Sequence, residues 1–171
     1  KAPAAIENIL KKEDECRFIA SRLVSVDKLF FIGRGLDYAL SLEASLKLKE
    51  ITYIHSEAYA AGELKHGTIS LIEDGVPVIT LLTQENVLPK TVSNMAEVKA
   101  RGACVIAVTR ENTKFAENTV DLRFNTDDTL PDLLDPLATV CALQLIAYYT
   151  SVLRGIDPDK PRNLAKSVTT E

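Results

Sequence analysis

The segment EASLKLKEITYIHSEAYAAGELKHG, residues 43–67, combines apolar residues at helical spacing with an unusual concentration of charge. When residues 36–51 are placed on a helix, the apolar residues spread over one wide arc. Glu43, Lys47 and Glu50 project into the middle of that arc. The opposite side, which we expect to face solvent, carries Asp37, Ser41, Ser45 and Lys49.

Charged side chains within an apolar face are costly unless they are paired or face a cleft. One interpretation of Glu43, Lys47 and Glu50 is a row of ion pairs at i, i+4 and i, i+3 spacing, which stabilises a helix only slightly. The other is a proton-transfer site, because a carboxylate and an ammonium that lie together tune each other's pKa. The residues alone leave both interpretations open.

The composition describes an ordinary globular chain. The 171 residues suit one domain, 46% of them are hydrophobic, and a net charge of −4 argues against a nucleic-acid surface. No apolar run of about 20 residues predicts a membrane span, and the N-terminal residues do not read as a signal peptide. The three widely spaced cysteines, Cys16, Cys104 and Cys141, form neither a zinc pattern nor a disulfide framework, so we expect a reducing, cytoplasmic compartment. A start at Lys1 rather than at methionine is expected of a piece of a longer protein.

Hydrophobic periodicity predicts alternating strands and helices along the chain. The predicted strands are 28–32, 52–56, 77–82, 103–109 and 120–124, the last near an edge of the sheet. The predicted helices are 4–23, interrupted near Glu13, then 36–51, 90–101 and 135–153, with a short helix at 63–66. This order predicts an α/β fold, a three-layer αβα sandwich around a parallel sheet of about five strands. Residues 156–171, the tail, are expected to be irregular.

The sequence Gly33-Arg34-Gly35 joins the first predicted strand to the long helix. A strand, a glycine-rich turn and a helix N-terminus make a corner that suits an anion, so Gly33 and Gly35 are candidate substrate-binding residues. Glycine at such a turn also has a purely geometric explanation, because it accepts backbone angles that other residues avoid.

Three strings, FFIGRG, LEASLKLKEITYIHSEAYAAGELKHG and PRNLAKSVTTE, resemble the isomerase portion of the glutamine–fructose-6-phosphate aminotransferases (glucosamine-6-phosphate synthases). More narrowly, the chain resembles the second of their two sugar-isomerase (SIS) subdomains, over nearly its whole length. The resemblance implies a single SIS domain over residues 1–171 with a flavodoxin-like or Rossmann-like sheet, and a tail that contributes to the site. It implies fructose-6-phosphate and glucosamine-6-phosphate as ligands, and neither a cofactor nor a metal.

The resemblance also implies roles for particular residues. Glu50 matches the carboxylate that moves a proton between C1 and C2 of the sugar, and Lys47 matches the lysine that supports it. His66 matches the ring-opening histidine, which the family brings into the site of a neighbouring subunit, so a homodimer is implied. Lys166 matches the lysine that reaches the carbonyl end of the sugar. Glu43 is a neighbour of this site or only a helical partner of Lys47.

Other parts of the family's site are not matched. The family holds the sugar phosphate in a loop rich in serine and threonine, which belongs to the first SIS subdomain. Here the corresponding strand ends, residues 82–86 and 109–112, place the carboxylates Glu85 and Glu111 where a phosphate would lie. The glutaminase part is not matched either. We therefore expect the chain alone to have little isomerase activity, because remote phosphate binding normally holds the reacting carbons in place.

Two other functions remain as alternatives. One is a non-catalytic SIS module that binds a phosphosugar or mediates dimerisation, and the other is a stand-alone phosphosugar isomerase. Both of the sugar-binding alternatives need a phosphate loop of their own, which this sequence does not offer.

Arg162 is expected to hold the tail in place rather than to contact the sugar.

Overall fold

Five parallel strands form one sheet in the computed structural model of the chain, which describes residues 1–164. The spatial order is β2-β1-β3-β4-β5, so the order reverses between β1 and β3. The strands are β1 (Lys28–Gly33), β2 (His55–Ala60), β3 (Pro77–Leu82), β4 (Cys104–Arg110) and β5 (Leu122–Thr126). β1, β3 and β4 are almost wholly buried, as expected of strands that are covered on both faces.

Helices cover both faces of this sheet. The helices are α1 (Ala2–Leu10), α2 (Glu13–Ser21), α3 (Leu36–Thr52), α4 (Leu88–Lys99) and α5 (Pro136–Leu153). Because side chains alternate across a strand, Phe31 faces a core formed with α1, α2, α3 and α5, whereas Phe30 faces a second core formed with α4. The predicted three-layer α/β sandwich and its five parallel strands are confirmed.

Most of the predicted elements are confirmed, including the interruption near Glu13 and the edge position of the last strand. The prediction for the second strand was wrong in its position. Residues 52–54 were assigned to a strand, but Thr52 is still helical, and its hydroxyl donates to the carbonyl of Leu48. The strand begins at His55, which pairs with Lys28 at the start of β1.

The orientation predicted for α3 was also wrong. Asp37, Ser41 and Ser45 were expected to face solvent, but they are only 1%, 0% and 2% exposed. Three leucines of the apolar arc are exposed instead, with exposures of 38% for Leu36, 48% for Leu42 and 43% for Leu46, whereas Leu40 and Leu48 are buried as expected.

Small polar residues bring α3 against the sheet because their hydroxyls find partners close by. The Ser41 hydroxyl donates to the carbonyl of Asp37, and the Ser45 and Ser56 hydroxyls lie 2.9 Å apart between α3 and β2. Buried hydroxyls that are hydrogen-bonded carry little penalty. The face with Glu43, Lys47 and Glu50 therefore points away from the sheet.

α5 is the most apolar helix of the chain. By length and composition it could span a bilayer, with a mean hydropathy of 1.5 over its 18 residues, but half of it is buried inside the fold. It packs against α1, α2 and α3, and Ala142, Ile146 and Ala147 belong to the core. Its position is therefore that of a core helix. Asp135 precedes it, and its carboxylate accepts a hydrogen bond from the Thr139 hydroxyl without capping the backbone of the helix.

Candidate functional site

An ion pair between Lys47 and Glu50 lies on the outer face of α3. The Lys47 ammonium is 2.9 Å from the Glu50 carboxylate and 3.9 Å from that of Glu43. All three side chains are partly exposed, Glu50 the least at 28%. The structure therefore brings these three predicted site residues together.

The hydrogen bond to Glu50 raises the pKa of Lys47 above its usual value. Burial acts in the opposite direction, and the charges of Glu50 and Glu43 each add a smaller increase. Lys47 is therefore an ammonium at neutral pH. An ion pair this exposed contributes only about 0–1 kcal/mol to stability. Its main physical consequence is to hold a carboxylate and a proton-bearing cation side by side on an accessible surface.

His66 lies at the opposite end of the sheet from Glu50. It ends a short 3₁₀ helix, Glu63–His66, that follows the carboxyl end of β2, and its side chain is exposed. α3 begins at the carboxyl end of β1 and must run back to reach the start of the parallel strand β2. Glu50 is 14 residues into α3, which places it about 21 Å along the helix axis from its start. One copy of the chain therefore does not bring His66 to Glu50.

Gly33 and Gly35 also lie at the carboxyl end of β1, away from Glu50. A Cβ atom on Gly33 would come within 2.6 Å of the backbone carbonyl of Asp37, so this position has no room for a side chain. Gly35 has a φ of 58° immediately before α3, a conformation that glycine adopts readily. The geometry of the turn between β1 and α3 is therefore enough to explain why both positions are glycine.

Of the two candidate residues near the C-terminus, Lys166 lies outside the described residues. The expectation that Arg162 holds the chain in place is supported by its contacts with Tyr53. The backbone N–H of Arg162 donates to the Tyr53 hydroxyl at 2.8 Å, and its guanidinium lies 4.1 Å from the centre of the ring.

The loop after β3 surrounds a carboxylate that belongs to the protein itself. The carboxylate of Asp37 accepts hydrogen bonds from the backbone N–H and the hydroxyl of Thr83, at 2.9 and 2.6 Å, and from the N–H of Gln84 at 3.3 Å. Burial raises the pKa of Asp37 to about 6, although the bonds from Thr83 and Gln84 act in the opposite direction, and nearby Asp135 raises it further. Asp37 therefore occupies the donors that a phosphate would use here.

Two more aspartates bind the neighbouring backbone groups. Asp132 accepts a hydrogen bond from the N–H of Glu85 at 3.0 Å, and Asp128 accepts one from the N–H of each of Glu111 and Asn112 at 2.9 Å. The side chains of Glu85 and Glu111 were expected at these loops, but both residues contribute backbone N–H donors here. The carboxylates that accept these hydrogen bonds belong to Asp132 and Asp128. Arg110 holds both Asp128 and Asp132 in place.

A cavity of about 480 Å³ opens beside these loops, at the carboxyl ends of β3 and β4. Ligand sites of open α/β sheets commonly lie at this edge. Its lining combines leucines with polar and charged side chains: Leu82, Thr83, Glu85, Leu88, Arg110, Asn112, Thr113, Lys114 and Asp128. Of the predicted catalytic residues, the three that the structure describes, Lys47, Glu50 and His66, do not line it.

The family model for the SIS domain matches residues 22–154. This chain belongs to the SIS-domain family. The match covers all five strands and α3 to α5, and leaves out α1, α2 and the residues after Arg154.

The relatives of this SIS domain have one name in common. It is 51% identical over all 171 residues to the glutamine–fructose-6-phosphate aminotransferase [isomerizing] of Caldanaerobacter subterraneus, and 54% identical over 170 residues to that of Bacillus licheniformis. The chain spans 28% and 27% of the length of these two relatives. It also superimposes on the C-terminal domain of the glucosamine-fructose-6-phosphate aminotransferase of Francisella tularensis, with a TM-score of 0.85 and 34% identity over 93% of this chain and 44% of that one.

Sequence reasoning missed the aspartates that bind the loops at the ends of β3 and β4 in this SIS domain, the buried Asp37 and the partly exposed Asp128 and Asp132. Asp37 lies far from the other two in sequence, and all three reach neighbouring loops because parallel strands end at one edge of the sheet. A signal for Asp37 was available, because the side of α3 that carries it holds small residues and only one long charged residue, Lys49. Long charged side chains need water, so a helix face made of serine, alanine and one aspartate can pack against a sheet more easily than a face with Glu43 and Lys47.

Proposed function

We propose that this chain is the C-terminal isomerase part of a glutamine–fructose-6-phosphate aminotransferase. The reaction forms glucosamine-6-phosphate from fructose-6-phosphate and ammonia released from glutamine. The proposal is supported by relatives of that name along the whole chain. The observation that carries it is the accessible Lys47–Glu50 pair on α3, which is of little use to stability and suits proton transfer.

In this proposal Glu50 removes a proton from C1 of the open-chain sugar and returns it to C2. Lys47 keeps the Glu50 side chain in place and compensates its charge, since its ammonium is 2.9 Å from that carboxylate. Glu43, at 3.9 Å, keeps Lys47 on this side of the helix. Lys166 acts at the carbonyl end of the sugar, either as an amine that forms a Schiff base or as a charge.

His66 opens the sugar ring in the site of a second copy of the chain. The separation of His66 and Glu50 within one chain supports this assignment, because a single copy cannot supply both groups to one sugar. We therefore propose a homodimer, which is expected in the cytoplasm with the other enzymes of small phosphosugars.

The phosphate of the sugar is bound by another part of the parent protein. The donors at the ends of β3 and β4 are already taken by Asp37, Asp128 and Asp132. A phosphate there would meet carboxylates instead of free N–H groups. The chain alone is then half of a site, and the first SIS subdomain and the glutaminase part complete the enzyme.

A chimera tests this proposal directly. The present chain replaces the matching C-terminal 27% of the Bacillus licheniformis relative, and glucosamine-6-phosphate formation is measured. We expect the chimera to be active and Glu50→Gln to lower kcat by about 10²–10⁴-fold, the usual contribution of general acid–base catalysis. Glu7→Gln is the matched control, because Glu7 forms a similar i, i+4 pair with Lys11 on the surface of α1. Equal activity of the two variants would contradict the assignment of Glu50.

The cavity at the ends of β3 and β4 favours a second candidate, a non-catalytic module that binds a phosphosugar. Calorimetric titration of the 171-residue chain with fructose-6-phosphate separates the two functions. The half-site predicts no saturation up to millimolar sugar. Micromolar binding that survives Glu50→Gln would support the module instead.

A further inference from the structure

The loop that carries His66 rests on the end of an arginine side chain. This loop, residues 61–67, follows β2, and its first N–H group donates to the carbonyl of Gly33 at 2.9 Å. A Cβ atom on Gly62 would lie 2.7 Å from Nη2 of Arg34 and 3.3 Å from its Nη1 and Cζ atoms. The first of these distances is too short for a side chain, so the backbone of the loop lies directly against the guanidinium.

Gly62 is explained by this contact and not by its backbone angles. It has φ −70° and ψ −30°, in the right-handed region that residues with a side chain adopt easily. Alanine in place of a glycine with such angles normally stabilises a protein, because it reduces the freedom of the unfolded chain. The missing side chain at this position therefore makes room for Arg34.

A buried asparagine fixes the position of the Arg34 guanidinium. Asn94, in α4, is 4% exposed, and its side-chain oxygen accepts hydrogen bonds from Nε and Nη2 of Arg34 at 3.2 and 2.8 Å. Two donors from one rigid fork fix the plane of the guanidinium as well as its distance from α4. The acceptor is neutral, so these bonds stabilise the fold less than bonds to a carboxylate would. We call these two residues the Arg34–Asn94 support.

Two further contacts make the loop move as one unit. Leu64 is 1% exposed and belongs to the second core, which α4 also lines. The ammonium of Lys65 lies 2.6 Å from the carboxylate of Glu97, which is also in α4. His66 follows Gly62 by four residues of a 3₁₀ turn, about 8 Å at the usual rise. A shift of the backbone at Gly62 is therefore transmitted to His66.

We propose that Arg34 and Asn94 are positioning residues for His66, because they fix the loop that presents its imidazole to a second copy of the chain. This inference rests on the proposed function, in which His66 opens the sugar ring. Neither Arg34 nor Asn94 touches the sugar. A group that acts on a sugar held by another subunit needs a fixed position on its own chain, since a misplacement of about 1 Å can cost a hundredfold in rate.

The support can be weakened in three ways that leave the imidazole unchanged. Arg34→Gln removes the guanidinium, and Asn94→Ala removes its acceptor. Gly62→Ala presses a methyl group against the guanidinium, in a backbone conformation that alanine accepts. Arg101→Gln is the matched control, because Arg101 is an exposed arginine after α4 that also donates to an oxygen of the chain, the carbonyl of Glu97.

Two sugars separate the positioning of His66 from a general defect. The ring of fructose-6-phosphate must be opened, whereas 5-deoxyfructose-6-phosphate lacks the hydroxyl that closes the ring and is always open. The ratio kcat/KM is measured for both sugars in the Bacillus licheniformis chimera. The three variants should lower kcat/KM for fructose-6-phosphate roughly tenfold, as a misplacement of somewhat less than about 1 Å would, and leave that for the open sugar unchanged. Arg101→Gln should change neither value, and His66→Ala gives the full loss.

A double variant tests the contact itself. Gly62→Ala should have no further effect in the Arg34→Gln background, because the group that its methyl would press against is gone. The two substitutions are then strongly non-additive, as expected of groups in direct contact.

Three results would overturn the inference. They are an equal loss for both sugars, no loss for either sugar, and an effect of Gly62→Ala that is the same with and without Arg34.

The proposed function can fail separately. If His66→Ala lowers kcat/KM equally for both sugars, or for neither, the ring-opening role of His66 is wrong. Heteronuclear ¹⁵N NOEs of residues 61–67 in the 171-residue chain then decide the inference. Lower NOEs in Arg34→Gln than in Arg101→Gln support the positioning of the loop, and equal NOEs overturn it.

Discussion

The carboxylate of Asp37 should give the chain an unusual dependence of stability on pH. The side chain is 1% exposed, and its pKa is raised from 3.8 to about 6, chiefly by burial. The folded protein therefore binds a proton at this site between these two pH values, whereas the unfolded chain has already released it. By linkage, this contribution to the free energy of unfolding is fully present below pH 3.8 and is lost as the pH rises through 6.

The size of the effect follows from the shift. About two pKa units correspond to about 3 kcal/mol of difference between the two protonation states. Asp37→Asn removes the titration and keeps the shape of the side chain. The difference in free energy of unfolding between the native chain and Asp37→Asn should therefore fall by about 2 kcal/mol from pH 4 to pH 7, most of the full effect.

Urea unfolding at several pH values measures this difference, with Asp14→Asn as a control because Asp14 is exposed. Asp37→Ala adds a second test. It leaves the donors of Thr83 and Gln84 without an acceptor and opens a space of carboxylate size, so added formate should stabilise this variant more than it stabilises the native chain. Parallel pH profiles for the native chain and Asp37→Asn, together with no specific effect of formate, would refute the argument.

Two further predictions concern packing. Gly33→Ala should lower the free energy of unfolding, measured in urea, by about 3 kcal/mol, because the new Cβ atom would press on the backbone of Asp37. Gly35→Ala should lower it by only about 1–2 kcal/mol, because its Cβ atom would meet no other atom within 4 Å. Equal losses for the two variants would show that α3 can shift. Burial raises the pKa of Cys16 to about 12. At pH 8 iodoacetamide should therefore label Cys16 roughly a thousandfold more slowly than an unburied thiol, and mass spectrometry measures this rate. Labelling of Cys16 as fast as that of the half-buried Cys141 would contradict the prediction.

Much of the fold could be predicted because β1, β3 and β4 are short apolar runs. The run at 77–82 became β3 without any change in its bounds, and helix α5 was apparent from its length and from Pro136. The second strand was misplaced because HSEAYA has a weak apolar pattern, and pairing with β1 decides where it starts. Tertiary pairing of this kind leaves little trace in a local sequence window.

The site could be predicted only in part, for a related reason. Glu43, Lys47 and Glu50 are neighbours on one helix, so their spacing alone brings them together. The orientation of α3 shows the limit of this reasoning, because Ser41 and Ser45 are polar in composition but small enough to be buried. The separation of His66 from Glu50 depends on the direction of α3 relative to the strands, which no local pattern contains.

The bonds of Asp37, Asp128 and Asp132 also decide where this molecule can move. Loops at the carboxyl edge of such a sheet commonly close over a ligand, and that motion requires backbone groups that are free in the absence of ligand. Here the backbone amides of Thr83, Glu85 and Asn112 already donate hydrogen bonds to aspartate carboxylates, so the loops at this edge of the sheet are held in place. Closure over a ligand is therefore not expected of these loops.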